Sequence, residues 1–172
     1  AAVSRLWKRL IVQNWIEKRD LFSNLGKLTI VTPSNWLKNL VAQSFLFNYP
    51  IEVIHNGIDT KRFHPNRSDL REMLGISQDK KVVLGIAQDL YGSKGGRYLI
   101  ELARRLGNGY VIVILSLRTR KRLPKNVIIL SKTNSIEQLS RIYSMADVFV
   151  NPTLEDNYPT VNIEAIACGT PV

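Results

Sequence analysis

Cysteine is nearly absent from the 172-residue sequence, which contains Cys168 and no second cysteine. A disulfide within the chain is therefore excluded, which fits a reducing compartment. No apolar run approaches the roughly 20 residues that cross a bilayer, so no membrane-spanning helix is predicted. The sequence also lacks low-complexity segments and repeats of solenoid period, and 45% of its residues are hydrophobic. This composition is typical of a globular protein with a true core.

Signatures of metal and nucleic-acid sites are missing as well. The sequence has no Asp-x-Asp motif, and its two histidines, His55 and His64, are not spaced as ligands on one face of a helix. A resident metal is therefore not expected. No RNP, KH, zinc-finger or helix-turn-helix motif accompanies the basic residues, so nucleic acid is not expected as a partner.

Positive charge is abundant, with a net charge of +10 and a pI near 9.9, and it favours anionic partners. It is concentrated in a basic cluster within residues 1–40: Arg5, Lys8, Arg9, Lys18, Arg19, Lys27 and Lys38. A second cluster comprises Arg118, Arg120, Lys121, Arg122 and Lys125. Both clusters can be solvated faces. Trp7 and Trp15 recur at helical spacing among the first group, which indicates either a membrane-surface helix or the core of a larger domain.

The second half of the chain alternates strand and helix patterns. Continuous apolar runs predict parallel strands at residues 81–87, 110–115, 126–130 and 147–150. Helical periodicity predicts helices at 96–106, 135–145 and 159–168, with Ser135 as an N-cap and Gly169 as a stop. This alternation favours an α/β fold with a Rossmann-like, doubly wound parallel sheet. A fifth strand would begin at Thr170, so we expect an incomplete sheet.

The first half carries fewer elements. Patterns predict helices at 3–22 and 36–45, strands at 27–31 and 51–54, and turn and N-cap chemistry at 32–35. The polar residues 59–67 are predicted to form a linker. A short helix at 68–74 would be capped by Ser68 and ended by Gly75.

Two loops at the carboxyl ends of predicted strands carry candidate ligand groups. Residues 88–96 include three glycines and Lys94, which suit a phosphate cradle or simply a tight turn. Residues 151–164 place Glu155 and Asp156 before a helix whose first amides, at Thr160 and Val161, would face an anion. Glu164 on that helix could accept hydrogen bonds from sugar hydroxyls. The alternative is a helix capped by Asp156 with a solvent-facing Glu164.

Three segments resemble the GT-B-fold, retaining glycosyltransferases of family 4. They are VTPSNWLKNLV (31–41), IHNGIDTKRFHP (54–65) and MADVFVNPTLEDNYPTVNIEAIACGTPV (145–172). Residues 86–102 resemble the stretch with which that family binds the donor diphosphate. The resemblance implies the end of an acceptor-side Rossmann domain at 1–58, a hinge at 59–67 and a nucleotide-sugar donor domain at 68–172, truncated at both ends.

The resemblance also implies residue roles. Glu164 would contact the donor ribose, and Asp156 or Glu155 the transferred sugar; the family has a glutamate where Asp156 stands. Lys94, Gly95 and the amides of Thr160 and Val161 would hold the diphosphate. The base would lie near Ser131–Thr133. The family's diphosphate arginine, expected near Gln88–Asp89, is missing, and Arg97 or the 118–122 cluster are candidate substitutes.

The implied activity is transfer of a sugar from a nucleotide-diphosphate sugar to a glycan or lipid-linked acceptor, with no cofactor or metal. The leaving diphosphate would be stabilised by Lys94 and the helix amides. The family suggests a cytoplasmic protein, peripherally attached to an anionic membrane surface at the inner face. A non-catalytic nucleotide-sugar-binding module is the alternative, and the chain by itself is expected to be inactive because acceptor-domain groups are absent.

Overall fold

The computed structural model describes residues 5–87, 90, 95–117 and 123–172 and divides the chain into two compact units, Ala1–Asn56 and Gly57–Val172. The helices are α1 (Arg5–Phe22), α2 (Asn35–Val41), α3 (Leu70–Met73), α4 (Gly96–Leu106), α5 (Ile136–Ser144) and α6 (Thr160–Ala167). The strands are β1 (Ile30–Thr32), β2 (Ile51–Val53), β3 (Lys81–Ile86), β4 (Tyr110–Ser116), β5 (Val127–Ser131) and β6 (Val148–Phe149). No described helix is both long enough and apolar enough to cross a bilayer.

The first unit joins β1 and β2 as a parallel pair, with Ile30 opposite Ile51. Within the segment 32–35 that was predicted to offer a cap, Ser34 caps α2, because its Oγ accepts a hydrogen bond from the Leu37 amide at 3.2 Å. The helix ends at Val41, earlier than the predicted residue 45. Ser44 explains the difference, since its hydroxyl donates to the Val41 carbonyl and accepts from the Leu46 amide, which offers the backbone an alternative to further helix.

The second unit contains a parallel sheet with strand order β5-β4-β3-β6. Helices cover both faces. One face packs a core that includes Leu84, Val113 and Phe149 against α5 and α6. The other packs Ile112 and Ile114 against α4. Burial on both faces accounts for the uninterrupted apolar runs of β3 and β4, and the predicted doubly wound α/β fold is confirmed.

The polar segment 59–67 lies within the second unit. Phe63 in this segment is buried, and its ring lies 6.4 Å from that of Tyr143 on α5. The Asn66 side chain donates to Ser140 Oγ at 2.7 Å, and its backbone amide donates to Ser144 Oγ at 3.0 Å. The predicted linker is therefore anchored to α5 by one aromatic ring and two hydroxyl contacts.

The helix that follows is shorter than predicted. It spans Leu70–Met73, and Asp69 rather than Ser68 is the residue that precedes it. Asp69 makes no capping bond, and its carboxylate instead pairs with Arg141 on α5. Gly75 lies just beyond the helix with φ +65°, a conformation that favours glycine, as expected for a helix stop.

The remaining helix ends follow the predicted chemistry. Ser135 Oγ accepts from the Gln138 amide at 3.2 Å and caps α5. Gly169 follows α6 with φ +80°. Beyond it, the Pro171 carbonyl accepts from the Phe149 amide at 2.8 Å, so the last residues, where a fifth strand was expected to begin, run beside β6.

Candidate functional site

A cavity of about 310 Å³ opens at the carboxyl ends of the parallel strands in the second unit. Its walls come from the ends of three strands and from two helices: Ile86, Ala87, Leu115, Ser116, Leu117, Lys132, Thr133, Leu139, Val161 and Glu164. The lining is mostly apolar, with one carboxylate and a few polar groups. Such a cleft, at this end of an open parallel sheet, is the expected position for a ligand.

The strand order places a crevice between β3 and β6. These strands are neighbours in the sheet, although β4 and β5 separate them in sequence. The helices that follow them, α4 and α6, pack on opposite faces of the sheet, which marks the switch point at which open α/β sheets bind ligands. The loop that precedes α4 and the loop that precedes α6 both begin here.

Glycines allow these two loops to approach each other closely. Gly95 has φ +73°, and a Cβ on it would collide with the backbone carbonyl of Pro152. A Cβ on Gly96 would lie only 2.6 Å from the Cα of Leu90. Gly95 and Gly96 of the predicted cradle are thus required for close packing, and Gly95 also for its positive φ.

Glu164 lies on α6 and lines the cavity. The Tyr143 hydroxyl donates to its Oε2 at 2.7 Å, which fixes one end of the carboxylate. Burial, together with the negative charge of Glu164, raises the pKa of Tyr143, so the phenol stays protonated and remains a donor. Glu164 is half-buried and hydrogen-bonded to Tyr143 rather than fully exposed.

The amino end of α6 borders the same cavity through Val161. Pro159 directly precedes the helix and makes no side-chain capping bond. Thr160 is the first helical residue and is exposed. A helix amino end beside a half-buried carboxylate offers amide donors and an acceptor to one ligand.

Residues 66–172, more than half of the chain, match the family described as glycosyl transferases group 1. The chain belongs to this family.

Curated relatives are similar along most of the chain. An uncharacterized glycosyltransferase of Methanocaldococcus jannaschii is 29% identical over 91% of this chain and 44% of its own length. The processive diacylglycerol alpha-glucosyltransferase of Acholeplasma laidlawii is 28% identical over 83% of this chain and 46% of its own length. The chain thus spans less than half the length of these relatives.

The crystal structure of Anabaena Alr3699/HepE in complex with UDP and glucose matches the fold with a TM-score of 0.70 at 20% identity. The match covers 93% of this chain and 47% of that chain. It agrees with the predicted GT-B, Rossmann-like architecture of the group 1 glycosyltransferases.

The other predicted site residues are distributed around the cavity. Glu155 and Asp156 are exposed in the loop before α6, and neither is among the described residues that line the cavity. This loop is braced where the Asn151 side chain donates from Nδ2 to Asn162 Oδ1 at 2.9 Å and where Thr153 Oγ1 donates to the Glu155 carbonyl at 3.0 Å. In the chain, the two acidic residues precede α6, whereas Glu164 lies beyond its first turn.

The loop after β5 contributes the wall near Ser131. Ser131 itself ends the strand and is exposed, whereas Lys132 and Thr133 line the cavity. Thr133 Oγ1 donates to Gln138 Oε1 at 2.6 Å and accepts from the Ser135 amide at 3.0 Å. These bonds connect the loop to the capped start of α5 and fix its backbone.

Several predicted positions lie outside the described residues. These are Lys94, Gln88–Asp89 and the basic residues of 118–122. Arg97 is described, and its guanidinium lies 4.7 Å from the centre of the Tyr98 ring and donates to the Tyr98 hydroxyl at 2.7 Å. No three His, Cys, Asp or Glu side chains gather as a metal-ligand set in the part of the chain that the structure describes.

Sequence reasoning missed Ser116, Leu117 and Tyr143. Ser116 and Leu117 follow the apolar run of β4 and become cavity wall only because β4 lies inside the sheet. Tyr143 is one of the buried residues of α5. A phenolic hydroxyl on a buried stripe needs a hydrogen-bond partner, and that requirement was the available signal for its contact with a site carboxylate.

Proposed function

We propose that this protein is a retaining glycosyltransferase of family 4 that binds a nucleotide-diphosphate sugar at the cavity and transfers the sugar to a glycan or lipid-linked acceptor. The observation that carries the proposal is Glu164. Its carboxylate is half-buried, hydrogen-bonded by Tyr143, and placed in a cavity at the carboxyl ends of the strands.

Each part of the cavity suits one part of such a donor. The apolar walls at Ile86 and Leu115 offer a surface for the nucleotide base, near the loop at Lys132 and Thr133. Glu164 would accept hydrogen bonds from the ribose hydroxyls, because a carboxylate binds a vicinal diol through its two oxygens. The base, ribose and diphosphate would then extend from the end of β5 towards the crevice between β3 and β6.

The chemical step places negative charge on the departing nucleoside diphosphate. We propose that Lys94, the backbone at Gly95 and the amides of Thr160 and Val161 stabilise that charge, and that no metal is needed. Fixed donors aimed at developing charge lower the barrier because they need no reorganisation during the reaction. Asp156, with Glu155 beside it, would bind hydroxyls of the transferred sugar.

Two relatives support the choice of substrates. One solved relative holds UDP and glucose, and one curated relative is named for transfer of an alpha-glucosyl group to diacylglycerol. These names favour sugar transfer, with a hexosyl donor and a glycan or lipid-linked acceptor, over a module that only binds. Turnover by the full-length protein would exclude the binding-only alternative, whereas product formation by these 172 residues alone would contradict our expectation that acceptor-domain groups are required.

We propose further that α1 attaches the protein to the anionic inner face of the cytoplasmic membrane. Trp7 and Ile11 are largely exposed and one turn apart, and Lys8 and Arg9 lie beside them. Apolar and basic groups together on one helix suit the headgroup region. Full-length protein should float with vesicles that contain phosphatidylglycerol, and Ile11→Glu should release it. Equal flotation of both proteins would contradict this attachment.

The donor site is tested by calorimetric titration of the full-length protein with UDP, GDP and ADP. We expect one of these nucleotides to bind. Glu164→Ala should weaken its binding about 10- to 100-fold, the usual cost of losing a hydrogen bond to a charged group. Glu101→Ala is the matched control, because Glu101 is exposed on α4 and pairs with Arg105 away from the cavity. Binding that survives Glu164→Ala, or no binding to any nucleotide, would contradict the proposal.

A further inference from the structure

Tyr143 is the buried partner of the cavity carboxylate. Its side chain is fully buried, and its ring lies edge-to-face against Phe149, with ring centres 5.5 Å apart. The Tyr143 carbonyl accepts from Thr170 Oγ1 at 2.7 Å, which fixes the backbone at the same residue. Ring packing therefore restrains the Tyr143 side chain, and the contact with Thr170 restrains its backbone.

The hydroxyl of this rigid ring donates to Glu164 Oε2 at 2.7 Å. A glutamate has three rotatable side-chain bonds, and an untethered carboxylate at the edge of a cavity must be immobilised when a ligand binds. A hydrogen bond from a rigid donor removes that cost in advance. It also occupies one carboxylate oxygen while leaving acceptor positions on the carboxylate for a ligand.

We infer that Tyr143 is a positioning residue for ribose recognition, because it holds the Glu164 carboxylate in the orientation that accepts the ribose hydroxyls of the donor. This inference rests on the proposed function. Tyr143 itself does not line the cavity among the described residues, so its effect on a nucleotide must pass through Glu164.

The inference predicts a loss of affinity that depends on the ribose hydroxyls. Tyr143→Phe removes one oxygen, keeps the ring and leaves a carboxylate that water in the open cavity can solvate, so we expect a folded variant. In the full-length protein, Tyr143→Phe should weaken binding of the nucleoside diphosphate that wild type binds by about 3- to 10-fold, which is the cost of immobilising one flexible side chain. It should change the affinity of the 2′,3′-dideoxy form of that nucleotide by less than about 2-fold, a difference near the reproducibility of affinity measurements.

Two further variants separate positioning from a merely structural effect. In the Glu164→Ala background, Tyr143→Phe should have no further effect on either nucleotide, because the group it positions is gone. Tyr143→4-aminophenylalanine restores a donor at the same place and should recover at least half of the lost affinity. Tyr110→Phe is the control for loss of a tyrosine hydroxyl, since Tyr110 begins β4 at the opposite end of the sheet.

The outcomes distinguish this inference from the proposed function. If wild type binds no nucleotide, both fail. If wild type distinguishes the ribose from the dideoxy form and Tyr143→Phe keeps that distinction unchanged, the positioning role alone is refuted. Equal weakening of both nucleotides would also refute it, because such a loss reflects a damaged cavity. Failure of the 4-aminophenylalanine variant to recover any affinity would refute it as well.

Discussion

Replacing Gly95 by alanine tests whether the approach of two loops holds the candidate site together. Gly95 has φ +73°, where a Cβ carries a conformational penalty of about 1–2 kcal/mol. The added methyl would also collide with the Pro152 carbonyl, a backbone atom that cannot rotate away. Overpacking of this kind costs about 1–3 kcal/mol, so we expect a total loss of about 2–5 kcal/mol in the free energy of unfolding.

Gly75→Ala is a matched control for the penalty of placing an alanine in a left-handed backbone conformation. Gly75 has φ +65°, and a Cβ there would meet no heavy atom within 4 Å. Gly75→Ala should therefore lower the free energy of unfolding by about 1–2 kcal/mol because of the left-handed conformation, with no added loss from a clash. The difference between the two variants isolates the contact of Gly95 with Pro152.

Urea unfolding followed by circular dichroism measures both variants. With a slope of about 1–3 kcal/mol per molar urea, an extra 2 kcal/mol lowers the midpoint by roughly 1 M. Gly95→Ala should also weaken nucleotide binding, because the loop can relieve the clash only by moving away from the crevice, whereas Gly75→Ala should not. Equal unfolding midpoints for the two variants would refute the reasoning that the loops are in close contact.

Three other substitutions test the fold around the site. Phe63→Ala should lower the free energy of unfolding by about 3–5 kcal/mol, because Phe63 is buried against Tyr143; a change below 1 kcal/mol would favour a free linker at 59–67. Ser135→Ala should cost about 1 kcal/mol by removing the cap of α5, and an unchanged thermal midpoint would contradict that role. Asp147→Asn should cost about 1–2 kcal/mol near pH 7, because the carboxylate accepts from the Val82 amide and from Arg71. Partial burial raises the pKa of Asp147, but the hydrogen bond from the Val82 amide and the charges of Arg71 and Lys81 outweigh it and hold the pKa below its usual value. The contribution of the Asp147 carboxylate to the free energy of unfolding is therefore fully present above about pH 4, the unfolded-state pKa, and is lost as the pH falls through the lower folded-state pKa. The free energies of unfolding of wild type and Asp147→Asn should converge in acid. A difference between them that does not change with pH would contradict this.

Local patterns predicted the elements of the second unit with small errors at their ends. Helix α4 spans Gly96–Leu106 as predicted, because an amphipathic stripe and a flanking glycine are both local signals. Ser135 and Gly169 were correctly placed at helix ends for the same reason. The predicted ends of α2 and α3 were wrong. Just beyond α2, the Ser44 hydroxyl bonds to the Val41 carbonyl, and before α3 the Asp69 carboxylate pairs with Arg141 instead of capping the helix.

The candidate site was predicted less completely. Glu164 stood out because it follows a strand and a turn in a motif that resembles a known family. Its partner Tyr143 did not, because a tyrosine in an apolar stripe has the same pattern whether or not its hydroxyl meets a carboxylate. The anchoring of 59–67 was missed because only Phe63 in that polar segment is buried, and a single aromatic residue has no periodicity.

By itself, the sequence determined the alternation of strands and helices, the apolar faces that must be buried, and the family resemblance, because each of these is written in neighbouring residues. The tertiary structure alone decided the order β5-β4-β3-β6, and with it which loops meet. That order brings Gly95 against Pro152 and the Tyr143 hydroxyl to Glu164. Such contacts join residues from different elements, and they depend on the packing of whole helices on a sheet rather than on any local preference of the chain.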